Sequence, residues 1–255
     1  MNLLQTAREL EGHSLLAVDD EIGSVEGFYL DDTTWAIRYL LVNPGRQTGK
    51  RVLIVPAAIG EIDEKERSIY IELTRNQIEN SPPVRTDGGP VSRQYEAEYY
   101  QYYDWTPYWE HGQLSGFPIQ GSTMAPPPDP GEFATAEMEE THLRSTMEII
   151  GYVIAAQDGE IGYVDDLIVD TQYWVIRYLE IDTRDSWSGK QVLVNPGWIE
   201  EISRTGHAVS LDLTREAIMH APDVDPSKAI SRDYERRLFR HYGRPFYWRR
   251  GNGKF

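Results

Sequence analysis

The chain contains no cysteine, which excludes disulfides, thiolate catalysis and cysteine-held metals or clusters together. No apolar run approaches the ~20 residues that a helix needs to cross a bilayer. Residues 1–9 lack the charged and apolar regions of a leader peptide, so the expectation is a soluble, cytoplasmic protein. Basic residues are in the minority, 25 Lys and Arg against 41 Asp and Glu for a formal net charge of -16. Such a chain repels polyanions at long range, and nonspecific nucleic-acid binding by the whole molecule is not expected.

Catalytic patterns are missing as well. The histidines at 13, 111, 142, 207, 220 and 241 form no His-Glu-x-x-His pair, and there is no Gly-x-Ser-x-Gly elbow. The run from Gly45 to Lys50 is one residue short of a phosphate loop, and Arg51 stands where a hydroxyl should hold magnesium. It reads as a hairpin or loop. The sequence offers no catalytic, cofactor-binding or metal-ligating residues, and the expectation is a protein without cofactor that is not an enzyme.

What is present is a duplication. Glu21-Ile22-Gly23-Ser24-Val25 through Trp35-Ala36-Ile37-Arg38-Tyr39-Leu40 recurs as Glu160-Ile161-Gly162-Tyr163-Val164 through Trp174-Val175-Ile176-Arg177-Tyr178-Leu179. The register continues in Gly49-Lys50 and Gly189-Lys190, Pro56 and Pro196, and Leu73-Thr74-Arg75 and Leu213-Thr214-Arg215. It resumes in Ser92-Arg93-Gln94-Tyr95-Glu96 against Ser231-Arg232-Asp233-Tyr234-Glu235, and ends with Tyr108-Trp109 against Tyr247-Trp248. A unit of roughly a hundred residues is a small domain rather than a solenoid repeat. The expected organisation is a first repeat with a helical extension over 1–110, a Pro/Gly-rich linker over 111–141, and a second repeat with a basic helical extension over 142–255.

Within the first repeat, residues 15–18, 22–30, 35–42, 51–55 and 68–73 are strand-length apolar segments bounded by turn residues. So many short strands in so small a domain predict a closed barrel or sandwich. The strand at 35–42 is apolar on both faces, which calls for a cover from a helix, a partner or the other repeat. Glu180 replaces Leu41 in the second copy, so that end of the outer face is expected to meet solvent. Gly23 and Gly162 fall inside strand pattern and predict bulges. Thr74 and Thr214 predict helix N-caps. A second helix follows, with Tyr95, Tyr99 and Tyr102 forming one stripe.

Among the charges, Arg38 and Arg177 sit between apolar neighbours and need carboxylates. Glu26 and Asp165, or Asp31 and Asp170, could supply them in a structural ion pair; the sharper reading is an anion or partner-carboxylate contact. Asp19-Asp20-Glu21, Asp31-Asp32 and Asp165-Asp166 read as turn formers rather than metal or acid/base pairs, Asp31 being matched by Asp170. The extensions differ in sign. Residues 231–255 carry eight Arg or Lys against Asp233 and Glu235, whereas 92–116 carry Arg93 against Glu96, Glu98, Asp104 and Glu110. Arg236, Arg237, Arg240, Arg244, Arg249 and Arg250, interleaved with aromatics that include Tyr247 and Trp248, mark a candidate interaction surface. Self-association with the acidic remainder of the chain, an acidic protein, RNA or an anionic membrane surface are the partners this chemistry admits. The aromatic run of the first extension, in acidic surroundings, reads as packing rather than base stacking.

Glu-Ile-Gly-x-Val, an Asp at the strand end, Trp-x-Ile-Arg-Tyr-Leu, Gly-Lys and a strand ending in Pro together resemble the PRC-barrel domain. The resemblance covers about residues 10–80 and 149–221, and the chain as a whole resembles tandem PRC-barrel proteins of bacteria. It implies a mainly β protein of two small barrels, each followed by short α-helices, used as a non-catalytic protein-docking module or scaffold. Family members also serve in photosynthetic reaction centres and ribosome maturation, but neither an enzymatic nor an electron-transfer role transfers on the fold alone.

Overall fold

The computed structural model describes residues 3–44, 50–84, 91–110, 143–183, 189–225 and 228–249. The Pro/Gly-rich segment 111–141, Gly45 to Gly49 and Arg250 lie outside them, so the readings made there are not addressed by the structure. The first half of the chain forms strand β1 (Leu4–Thr6), helix α1 (Ala7–Leu10), β2 (Ser14–Leu16), β3 (Glu21–Asp31), β4 (Ile37–Asn43), β5 (Val52–Ile54), β6 (Ile59–Asp63), β7 (Ser68–Ile71), α2 (Arg75–Glu79) and α3 (Arg93–Tyr102). The second half repeats the order as β8 (Leu143–Ser145), α4 (Thr146–Ile149), β9 (Val153–Ala156), β10 (Gly159–Asp170), β11 (Val175–Asp182), β12 (Gln191–Val194), β13 (Ile199–Ser203), β14 (Ala208–Leu211), α5 (Arg215–Met219) and α6 (Arg232–His241).

Two compact units result, and each takes a piece from the other half of the chain. The first-repeat unit comprises Ala7–Met147 with Thr171–Val175; the second-repeat unit comprises Met1–Thr6, Glu148–Asp170 and Ile176–Phe255. In the first-repeat unit the sheet order is β5-β4-β3-β2-β7-β6, with β8 also paired to β3. In the second-repeat unit it is β12-β11-β10-β9-β14-β13, with β1 paired to β10. The registers are reciprocal. Leu143, Arg144 and Ser145 oppose Asp31, Leu30 and Tyr29, as Leu4, Gln5 and Thr6 oppose Asp170, Val169 and Ile168.

Both sheets are mainly antiparallel, with one parallel pair each, β2 with β7 and β9 with β14. They are open rather than closed into the expected barrels. The chain leaves β5 through Pro56, whose fixed φ and missing N–H end the ladder, and a 3-10 turn over Pro56–Ala58 redirects it into β6. The Tyr99 hydroxyl donates to the carbonyl of Leu53 in β5 at 2.9 Å, so helix α3 supplies that carbonyl with a donor. The second unit makes the same corner at Pro196–Trp198, where Asn195 caps the turn by accepting from the Gly197 N–H.

The bulges fall where glycine predicts them. Register shifts occur opposite Gly23 and between Glu160 and Gly162. Their φ values are 149° and 155°. A β-carbon on either would lie 2.0 Å from the carbonyl oxygen of Asn43 or Asp182, which no side chain tolerates. Thr74 and Thr214 cap α2 and α5 through the N–H groups of Gln77 and Ala217. Asp19 and Asp158 accept from the next N–H groups, those of Arg75 and Arg215. That matched pair of aspartates is a duplication the sequence reading passed over.

Three sequence expectations change. Trp35 and Trp174 are turn residues with φ of 60° and 51°, and β4 and β11 begin after them. Glu180 is buried, as is Leu41, so that end of the strand does not meet solvent. Tyr102 is 41% exposed, so the buried face of α3 is Glu96, Tyr99 and Tyr100 rather than a continuous tyrosine stripe. Strands β1, β6, β8 and β13 lie outside the strand segments expected from the sequence. Among the described residues no helix is long and apolar enough to cross a membrane.

Candidate functional site

The strand that is apolar on both faces is covered by its own extension. Residues 37–42 are all buried. Tyr39 meets Tyr99 of α3 edge-on, with centroids 5.5 Å apart. Its hydroxyl donates to Glu96 Oε1 at 2.8 Å, and the Tyr108 hydroxyl donates to the same oxygen at 3.0 Å. Arg93, one turn before Glu96, donates to Oε2 at 3.0 Å and lies 4.3 Å from the Trp109 ring centroid. A carboxylate with no measurable exposure thereby gathers three donors from strand, helix and the Tyr108–Glu110 turn. That satisfies the rule that buried charge must be paired and hydrogen-bonded.

The second-repeat unit builds the same node. Glu235 Oε1 accepts from Tyr178 at 2.7 Å and Tyr247 at 2.8 Å. Arg232 reaches Oε2 at 2.9 Å and lies 4.4 Å from the Trp248 ring. Burial drives the ionisations in both units. Desolvation pushes the Glu96 carboxyl up to about 7, opposed by the Arg93 charge and by the hydrogen bonds from Tyr39 and Tyr108. Tyr39 and Tyr178 are held well above the ordinary phenol value, first by burial and then by the carboxylate beside them. Tyr247 is pushed up to about 12 by the same two causes. The phenols therefore stay protonated and donate.

A second layer sits beside each node and contains the sequence-predicted ion pairs. Arg38 donates to Asp31 Oδ2 at 3.1 Å and to Thr34 Oγ1 at 3.3 Å, with its guanidinium 3.9 Å from the Tyr108 ring centroid. Asp31 Oδ1 accepts from the N–H groups of Thr33 and Thr34, and its carbonyl accepts from Trp35. One aspartate thus closes the turn that places Trp35 at positive φ and also neutralises the arginine. Arg177 and Asp170 repeat the pair at 2.8 Å, with Tyr247 4.7 Å away. Of the alternatives, Glu26 is taken by Arg51 and Asp165 by Gln191. The structural ion pair with Asp31 or Asp170 is thus formed in both units.

The remaining predicted residues divide between docked and outward. Arg244 donates to Asp212 Oδ2 at 2.7 Å and to its carbonyl at 2.8 Å, so part of the basic extension lies on an acidic residue of its own unit. Tyr247 and Trp248 belong to the node rather than to a free surface. Helix α6 buries Tyr234, Glu235, Leu238 and Phe239, leaving Arg236, Arg237 and Arg240 exposed. Arg236 pairs with Asp233 on the helix itself, and the Arg237 guanidinium lies 5.9 Å from the Tyr234 ring. Arg249 ends the last 3-10 turn.

Sequence reasoning missed Glu96, Glu235, Arg93, Arg232, Tyr39 and Tyr178 as a site, though the signal was there. Ser-Arg-x-Tyr-Glu is kept in both extensions, at 92–96 and 231–235, while the residues around it diverge. Among the described residues no group of three or more His, Asp or Glu side chains is arranged to hold a metal ion. Compared with known proteins, the chain matches no family model and no curated protein.

Proposed function

We propose that this chain is a non-catalytic scaffold of the tandem PRC-barrel kind, which presents the exposed face of α6 to an acidic protein surface. The observation that carries this reading is the contrast between the two faces of the extension helices. Their buried faces hold the same Glu, Arg and Tyr network. On the outer face, Arg236, Arg237 and Arg240 occupy the positions where α3 has Ala97, Glu98 and Gln101. Residues that hold the extension are duplicated, while the three on the outer face are basic only in the second copy. An acidic chain that keeps such a patch gains orientation in an encounter, because its remaining surface repels an acidic partner.

The test compares the parent chain with the triple Arg236→Glu, Arg237→Glu, Arg240→Glu variant against three probes: an acidic polypeptide, vesicles containing anionic lipid, and single-stranded RNA. The reading expects salt-sensitive binding to the polypeptide, weakened at least tenfold by the triple change. Preferential binding to vesicles or RNA, or indifference to the triple change, overturns it.

A further inference from the structure

The two exchanged strands are reciprocal in register but not in chemistry. In the first-repeat unit, Arg144 of β8 forms an ion pair with Asp32 whose side chains are only 11% and 14% exposed. Under the repeat alignment the equivalent positions are Gln5 and Thr171, which carry no charge. Next to this pair, the buried hydroxyl of Thr146 accepts from the Phe28 N–H at 3.1 Å. The position equivalent to Thr146 is Ala7, whose side chain can accept nothing, and the equivalent amide, Leu167 N–H, donates at 2.7 Å to Asp166 of its own strand.

Asp166 stands where the first repeat has Gly27. A β-carbon on Gly27 would lie 3.3 Å from Cγ and 3.4 Å from Sδ of Met147. Each repeat thus solves the same amide differently, one with an imported hydroxyl above a glycine, the other with its own carboxylate.

We infer that Arg144, Thr146 and Met147, read by Asp32, Phe28 and Gly27, are specificity determinants through which the first repeat's sheet accepts the strand of the second repeat and rejects its own. If β1 of a second copy of this chain took the place of β8, Gln5 would face Asp32 and Ala7 would leave the Phe28 amide unbonded. If β10 received the 143–147 segment, Met147 would meet the Asp166 side chain and Arg144 would face Thr171. Both homotypic pairings replace the charged partner of a part-buried group with a neutral side chain or bring Met147 against a carboxylate, and such mismatches discriminate between partners. Pairing between copies of this chain through these strands is therefore restricted to first with second.

Amide hydrogen exchange on the full-length chain tests the pairing. Arg144→Gln and Asp32→Asn are each expected to lower protection of the 143–145 amides by roughly 100-fold. The double variant, which removes both charges, should return to within about tenfold of the parent. Amides of Leu4–Thr6, in the other unit, should not move. A double variant no better than the worse single, or an equal loss in Leu4–Thr6, overturns the inference.

A second measurement uses the cysteine-free background. In the parent, cysteines placed at Tyr29 and Ser145 should oxidise to a disulfide, and cysteines at Tyr29 and Thr6 should remain thiols. Transfer of the determinants by Gln5→Arg, Ala7→Thr, Arg144→Gln and Thr146→Ala should reverse that preference. Retention of the 29–145 disulfide undiminished after the transfer, or a 6–29 disulfide in the parent, also overturns it.

Discussion

The two extension helices share one buried glutamate and expose different side chains. In the node, Arg93, Glu96, Tyr108 and Trp109 are repeated as Arg232, Glu235, Tyr247 and Trp248. Outside, α3 shows Gln94, Ala97, Glu98 and Gln101, and α6 shows Arg236, Arg237 and Arg240. A duplicated domain under no constraint would drift on both faces. Here the constraint lies on the carboxylate, because its desolvation must be offset by three donors in fixed positions, and losing any one leaves a charge or hydroxyl unpaired in the interior. The outer face carries no such penalty. The charge difference between the halves therefore lies where stability is indifferent.

The comparison breaks most severely at the node. Glu96→Ala and Glu235→Ala should each cost about 3–5 kcal/mol, since an arginine and two tyrosine hydroxyls lose their shared acceptor. Urea unfolding followed by tryptophan fluorescence checks this, and similar losses in the two variants would establish the nodes as equivalent.

A smaller effect comes from pH. Glu96 titrates near 7 in the folded protein against an ordinary value of 4.5, so the folded state holds this proton more tightly than the unfolded one. Its contribution is full below about 4.5 and is lost as pH rises through about 7, amounting to no more than roughly 3 kcal/mol. Glu96→Gln should flatten that part of the stability profile, and an unchanged slope would refute the assignment.

The helix caps sharpen the comparison at about 1 kcal/mol each. Thr74 makes a reciprocal capping box with Gln77, whereas the matching position beyond Thr214 is Ala217. Thr74→Ala should therefore cost more than Thr214→Ala in thermal unfolding. Least of all, Arg236→Glu, Arg237→Glu and Arg240→Glu should each shift stability by no more than about 0.5 kcal/mol. A larger loss would mean that this face is packed against something after all.

Much of the architecture could be read from the chain, and the reasons are local. Gly23 and Gly162 announce bulges because the backbone there excludes a β-carbon, and Thr74 and Thr214 announce helix starts because a hydroxyl must serve an orphan N–H. The Asp31–Arg38 pair was among the alternatives because seven residues of hairpin bring the two together. Less was readable where a group's partner is distant in sequence. Tyr39 and Glu96 are 57 residues apart, and Thr146 and Phe28 are 118 apart. Neither spacing leaves a periodic trace, and three-residue strands such as β1 and β8 are too short for alternation to show. Closure of the sheet was misjudged because strand count alone does not reveal a Pro56 corner or a tyrosine hydroxyl serving the carbonyl of Leu53.

The reciprocal strands also set an order of events on the ribosome. The end of β3 emerges long before residues 143–145, so its open edge must wait while more than a hundred further residues are made. At ~5–20 residues per second that delay is on the order of 10 s, far longer than the microseconds in which a hairpin forms. During that interval the edge of Leu30 and Tyr29 that meets β8 waits for its strand, while their other edge pairs with β4. Gln5 of β1, made before Arg144, brings no charge to Asp32, so β1 gains no ion pair at that edge before β8 arrives.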